Sequence, residues 1–258
     1  MTSRVIVITG ASGGIGAATA RLLAGRGDKV VLAARRATEL KQVAEQCGTD
    51  AVAVVADVTR RADVERLRDE ALRARGQVDV WINNAGRGIT RQVLDLTDDD
   101  LDQMMAVNVK SALYGMQAIV PHFRERGAGH LINISSALGR VPFVTARSAY
   151  SAAKAALISL TASLRMELRD TCPNVHVSVV MPGIVSSEFA RNALYATPPP
   201  PGGFRSGVPV QTPEQAAAAI ADLIDHPRAE VYTNPGQSEM VARYYADVAA
   251  FEKNMSIP

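Results

Sequence analysis

Hydrophobic and polar positions along this chain follow two periods. Short apolar runs rich in Val and Ile lie at 4–8 (RVIVI), 29–34 (KVVLAA), 51–55, 78–83, 130–134 and 175–181. They lack polar alternation, as expected of strands buried on both faces of a parallel sheet. Between them apolar residues recur every three to four positions, the period of an amphipathic helix. Ile15, Ala18, Leu22 and Leu23 make one such face, which stops at the glycines of 25–27. Further helices are predicted over 40–47, 62–75, a long region of about 98–126, and 148–168. Strand and helix in strict alternation predict an α/β fold, with a doubly wound parallel sheet.

After Met181 the pattern changes. Residues 186–211 hold Pro198–Pro201, Gly202, Gly203, Gly207 and Pro209. A segment this long and irregular reads as a functional loop over a substrate. A helix follows over 213–225, with Thr212 as N-cap, then a last strand over 230–233. The stretch 238–253 reads as one amphipathic helix carrying Met240, Val241, Tyr244, Tyr245, Val248 and Phe251. No linker divides the chain. The expected architecture is one Rossmann-like domain over 1–258, with about seven strands and helices on both faces.

Composition narrows the function classes. Of 258 residues 47% are hydrophobic and 21% charged, with a net charge of +2 from 28 basic and 26 acidic residues. That balance gives no electrostatic case for nucleic acid or an anionic membrane. Cys47 and Cys172 form no CxxC or ligand cluster, so free thiols in a reduced compartment and no metal are expected. No apolar run approaches the ~20 residues of a membrane span. The strand at 4–8 leaves no room for a signal peptide, so the expected location is cytoplasmic.

The first strand runs straight into Thr9-Gly10-Ala11-Ser12-Gly13-Gly14-Ile15-Gly16. Glycines let a backbone approach a pyrophosphate, and the following helix N-terminus offers free N–H groups. Gly10, Gly14 and Gly16, with Ser12, Gly13 and Ile15 between them, are therefore expected to cradle a dinucleotide. In NAD binders an acidic residue near the end of the second strand holds the ribose 2′-hydroxyl. Here Arg35 and Arg36 follow Ala34, and no acid occurs before Glu39. Guanidinium groups suit a 2′-phosphate, so NADP(H) is expected over NAD(H). Cations at a helix start are otherwise disfavoured. Asp57 and Val58 follow the third strand; Asn84, Ala85 and Gly86 follow the fourth. These are carboxyl ends of strands, where ligands bind in open α/β sheets. Asp57 can accept a bond from an adenine amine or simply start a helix.

Tyr150 and Lys154 lie four apart on a predicted helix and share a face. An ammonium beside a phenol favours the phenolate, so Lys154 is expected to pull the Tyr150 pKa down. By itself such a pair is usually a solvated helix face. Asn108, a weak helix former inside the long helix, and Ser136, at the end of the fifth strand, are equally unspecific alone.

Their order is specific. The TGASGGIG turn, NNAG at 83–86, Asn108, Ser136, YSAAK at 150–154 and Pro182-Gly183 together resemble the short-chain dehydrogenase/reductase family over roughly residues 4–190. The resemblance implies a catalytic tetrad of Asn108, Ser136, Tyr150 and Lys154. It puts a basic residue of NADP-preferring members at Arg35, an adenine-contacting acid at Asp57, and cofactor contacts at Pro182, Gly183 and Val185. Two departures stand out. Ser187 replaces the usual Thr that bonds the nicotinamide carboxamide. The 238–253 helix replaces a Gly-rich end that supports a tetramer, so the implied homo-oligomer is a dimer or tetramer, with a dimer through the helices of 98–126 and 148–168.

The resemblance implies an NADPH-dependent carbonyl reductase acting on a small molecule. Ser136 would orient the carbonyl, Tyr150 would transfer the proton, Lys154 would bind the nicotinamide ribose, and Asn108 would hold a water leading from Lys154. Leu138, Phe143, Phe189 and Tyr195, with Ser136 and Tyr150, are the candidate substrate contacts, and they suggest an apolar or mixed substrate over a highly charged one. An NAD-linked alcohol dehydrogenase, an epimerase or dehydratase, and a non-catalytic dinucleotide sensor remain as alternatives.

Overall fold

The structure is a computed structural model that describes residues 3–196 and 209–254. Pro198–Pro201, Gly202, Gly203 and Gly207 of the expected loop lie outside the described residues.

Seven parallel strands form one sheet: β1 (Val5–Thr9), β2 (Lys29–Ala34), β3 (Val52–Val55), β4 (Val80–Asn83), β5 (Gly129–Ile134), β6 (Val175–Met181) and β7 (Glu230–Tyr232). Their spatial order is β3-β2-β1-β4-β5-β6-β7. The order reverses direction at β1, between β2 and β4, which opens a crevice at the carboxyl ends of the strands. The expected fold class is the observed one.

Alternation along a strand divides its side chains between two cores. In β1, Val5 and Val7 enter one core and Ile6 and Ile8 the other. The Val5 side is covered by α3 (Arg61–Arg75), α5 (Ser111–Arg126) and α6 (Ser148–Leu168). The Ile6 side is covered by α1 (Gly14–Gly25), α2 (Ala37–Gln46) and α7 (Pro213–Asp225). This double burial is why the strand runs lack polar alternation. Thr212 caps α7 as expected, in a reciprocal box with Gln215.

Two helix expectations are refined. The long helical region over 98–126 is unbroken but holds a π turn. It comprises α4 (Asp98–Met105), a π turn at Ala106–Lys110, and α5. The final helix over 238–253 is two pieces, α8 (Gln237–Ala246) and α9 (Val248–Lys253). Asp247 leaves helical geometry and accepts a bond from the Ala250 N–H, so it starts the second piece as an N-cap. No helix among the described residues is long and apolar enough to cross a membrane.

Candidate active site

A cleft of about 1050 Å³ runs across the carboxyl ends of the strands, from Arg35 and Asp57 at one end to Phe143 and Phe189 at the other. Its floor near β1 is the glycine turn. Gly10 and Gly14 have φ of +66° and +54°, in the left-handed region. A Cβ on Gly10 would lie 2.8 Å from Ala85 Cα, and one on Gly16 would lie 2.5 Å from Gly10 O. Both glycines are thus fixed by packing. Gly14 differs: a Cβ there would project toward Ser187 at 3.6 Å, into the cradle itself. No side chain caps α1, so its first N–H groups have no side-chain partner, and Gly13, Gly14 and Ile15 at that end line the cleft. These features fit a dinucleotide pyrophosphate.

The two arginines after β2 behave differently. Arg36 folds back onto the turn, donating to Ser12 Oγ at 3.2 Å and Ser12 O at 3.0 Å, and pairs with Glu188 at 3.4 Å. Arg35 is exposed at the cleft margin, with no ion pair among the described residues. Asp57 lines the cleft, and its Oδ1 accepts from Thr59 N–H and Oγ1.

The other end gathers the side chains of the candidate tetrad from separate elements. Ser136 follows β5, and its Oγ accepts from Leu138 N–H at 3.2 Å. Tyr150 and Lys154 lie one turn apart on α6, both buried. Lys154 Nζ is 5.6 Å from the centroid of the Tyr150 ring and donates to Ile134 O at 2.9 Å. Asn108 sits buried in the π turn behind Gly86. A Cβ on Gly86 would lie 2.9 Å from Asn108 Oδ1 and 3.3 Å from Lys154 Nζ, so the glycine lets the three meet. Asn108 Oδ1 accepts from Arg87 N–H, and Nδ2 donates to Arg87 O and Met104 O. Its amide therefore pins the loop that follows β4. A π turn places such an interior polar group without breaking the helix, and such turns are frequent at functional sites.

Burial dominates the electrostatics. Desolvation pushes the Tyr150 phenol up to about 12, against the opposing pull of Ser136 beside it and of the Arg147 charge. Desolvation also brings Lys154 down to about 7. The expectation that Lys154 lowers the Tyr150 pKa is thus corrected for this structure: an amine held near neutrality by burial is a weak source of field, and the cost of a buried phenolate is larger.

The short-chain dehydrogenase family model matches residues 4–196. The chain belongs to the short-chain dehydrogenase family. It is 37% identical over 236 residues to the oxidoreductase YxnA of Bacillus subtilis, covering 90% of this chain and 65% of that one, so it spans about two thirds of that relative's length. It is 41% identical over 190 residues to the oxidoreductase SA2266 of Staphylococcus aureus, covering 72% of this chain and 80% of that one. Among solved structures, a short-chain dehydrogenase from Burkholderia phymatum in complex with NAD superposes with a TM-score of 0.86 at 27% identity, covering 96% and 95% of the two chains. An alcohol dehydrogenase from Thermococcus sibiricus complexed with 5-hydroxy-NADP gives 0.76 at 26%, covering 89% and 95%.

Within this family member, the cleft wall takes most residues singled out in the sequence, including Val58, Asn84, Ile15, Leu138, Pro182, Gly183, Val185 and Ser187. Three stand elsewhere. Gly16 is packed under the turn and Asn108 lies behind Gly86. Tyr195, expected to contact substrate, instead takes φ +51° and lies under the Arg91 guanidinium, 4.0 Å from its ring centroid. Arg91 in turn pairs with Asp100 at 2.7 Å. Ala193, not Tyr195, is among the residues lining the cleft. Sequence reasoning missed Arg87, Arg147 and Glu188, which also line it. Arg147 offered the same signal that drew attention to Arg35: a cation at a helix start, where the dipole disfavours it.

Proposed function

We propose that this chain is an NADPH-dependent oxidoreductase that interconverts a carbonyl and an alcohol by hydride transfer. One observation carries the reading: Ser136, Tyr150 and Lys154 converge at one end of the same cleft whose other end is the glycine turn and Arg35. The bound nicotinamide dinucleotide supplies or accepts the hydride. The α1 N-terminus and the turn hold its pyrophosphate. Arg35, after an Ala34 where a carboxylate would repel a 2′-phosphate, supplies the NADP preference. Lys154 Nζ, beside Gly86, would bond ribose hydroxyls. Ser136 Oγ orients the carbonyl oxygen. Tyr150 Oη gives its proton to that oxygen in reduction and takes it back in oxidation.

An NAD-linked activity is the second reading. Solved relatives include NAD and NADH complexes, and Arg36 is already committed to Ser12 and Glu188.

A panel of aldehydes and ketones, followed by loss of NADPH and of NADH absorbance, tests both. Tyr150→Phe is expected to lower turnover by about 10³-fold while NADPH binding, read by fluorescence, persists. Undiminished turnover in Tyr150→Phe sinks the mechanism.

A further inference from the structure

The charges at the reacting end of the cleft do not balance. Arg87 and Arg147 both line it, half-buried. Neither forms an ion pair with a carboxylate among the described residues. Arg147 Nη1 donates only to the carbonyl of Ile89, at 3.0 Å, and Arg87 Nε only to that of Asn192, at 3.0 Å. The acidic residues of the cleft wall are engaged elsewhere. Asp57 is at the far end, bonded to Thr59, and Glu188 is taken by Arg36 at 3.4 Å. A guanidinium loses hydration when buried and regains it only from a counter-charge or several acceptors. One carbonyl leaves most of the five N–H donors of Arg147 unmatched.

Arg147 is also close to the chemistry. A Cβ on Gly88 would lie 2.9 Å from Arg147 Nη1 and 3.0 Å from Phe189 Cε1, so guanidinium and ring meet over that glycine. The Phe189 ring centroid is 5.5 Å from that of Tyr150. Phe143 and Val144 complete an apolar wall beside them.

We propose that Arg147, with Arg87 as a second cation, binds a carboxylate of the substrate, so that the enzyme selects oxo acids or hydroxy acids with an apolar body. This rests on the carbonyl–alcohol reading above and changes the substrate class that the sequence suggested. The forked donors of Arg147 fit a planar carboxylate in two parallel bonds. Phe143, Val144 and Phe189 cover the carbon skeleton. The field of Arg147 at Tyr150 is consistent with this placement, since it favours the phenolate.

Matched pairs of substrate test it: para-acetylbenzoate and levulinate, each against its methyl ester, with NADPH. The wild type is expected to favour the acids in kcat/KM. Arg147→Gln keeps one donor for the Ile89 carbonyl but removes the charge. It should lower the acid-to-ester ratio by about 10- to 100-fold, the worth of a bond to a charged group, mainly through the KM of the acid. Arg147→Lys should restore part of that ratio. An equal loss on acid and ester, or a wild type that prefers the esters, overturns the proposal. Should none of the four be reduced, the carbonyl–alcohol reading fails at that point, and benzoate titrated calorimetrically with and without NADP decides the anion site separately. Heat of binding in the wild type that vanishes in Arg147→Gln supports it; equal binding in both, or none in either, overturns it.

Discussion

The two ends of the sheet differ in how much of their charge is matched. At the amino ends of the strands, cations meet anions. Arg4 pairs with Asp28 and Asp225, Arg26 with Asp225, and Arg126 with Asp79. Asp79 also accepts from the Val5 N–H at 2.7 Å, closing the start of β1. Even the buried His130, brought down to about 3 by desolvation, has Ser178 Oγ at 2.8 Å. At the carboxyl ends, Arg36 finds carboxylates, but Lys154, Arg87 and Arg147 are wholly or half-buried without one among the described residues, and Arg35 waits exposed at the margin. The first pattern is matched within the chain for its charged pairs, although His130 Nδ1 is buried without a partner among the described residues. The second is complete only with anionic or polar groups from outside, and that incompleteness marks the binding end more clearly than any single motif.

The contrast can be broken at either end. After Tyr150→Phe, the largest effect is expected from Lys154→Met, which removes the buried amine: carbonyl turnover should fall by about 10²-fold or more. The same variant should change the pH dependence of stability. Burial depresses Lys154 from 10.5 to about 7, so between those values the unfolded chain holds a proton that the folded chain lacks. Wild-type stability therefore gains from this group as pH rises through that window, and Lys154→Met should flatten the gain in thermal melts across the pH series. Tyr150 works the other way above pH 10. The folded chain keeps its proton up to about 12, so stability should fall there in both proteins.

At the opposite end, Asp79→Ala should cost about 1–3 kcal/mol in urea denaturation by orphaning the Val5 N–H, with kcat unaltered. A loss of activity without loss of stability would erase the division of labour between the two ends. The mildest change is expected from Arg35→Ala. It should shift the kcat/KM ratio of NADPH to NADH toward NADH by about tenfold or more; an unchanged ratio would count against the proposed NADP preference.

How much of this was legible beforehand follows from the range of the interactions. Strand runs such as 29–34 announce themselves because both faces are buried, so β2 falls on the same residues in sequence and structure. The glycine turn is legible because left-handed and close-approach positions admit few other residues. The one-turn spacing of Tyr150 and Lys154 is likewise local. Their pKa directions are not local: they depend on burial by β5, the π turn and the segment around Phe189. The break at Asp247 left a signal that periodicity overrode, since an Asp between Ala246 and Val248 is a ready N-cap. Tyr195 misled because an aromatic near a cleft says nothing about the sign of its φ.

The π turn at Ala106–Lys110 also acts as a phase setter. Upstream of it, Met104 packs with Ala149, Tyr150 and Ala153 around the site. Downstream, Ala112, Met116, Ile119 and Phe123 pack beneath the sheet with Trp81 and Leu131. One nearly continuous rod thus serves two layers that need different rotational settings. Each residue of an α-helix advances the rod by roughly 100°, so inserting or deleting a single residue in this turn would swing the whole of α5 relative to α4. The turn thus sets the phase between α4 and α5, and a one-residue change of length there would be felt in the core that α5 carries.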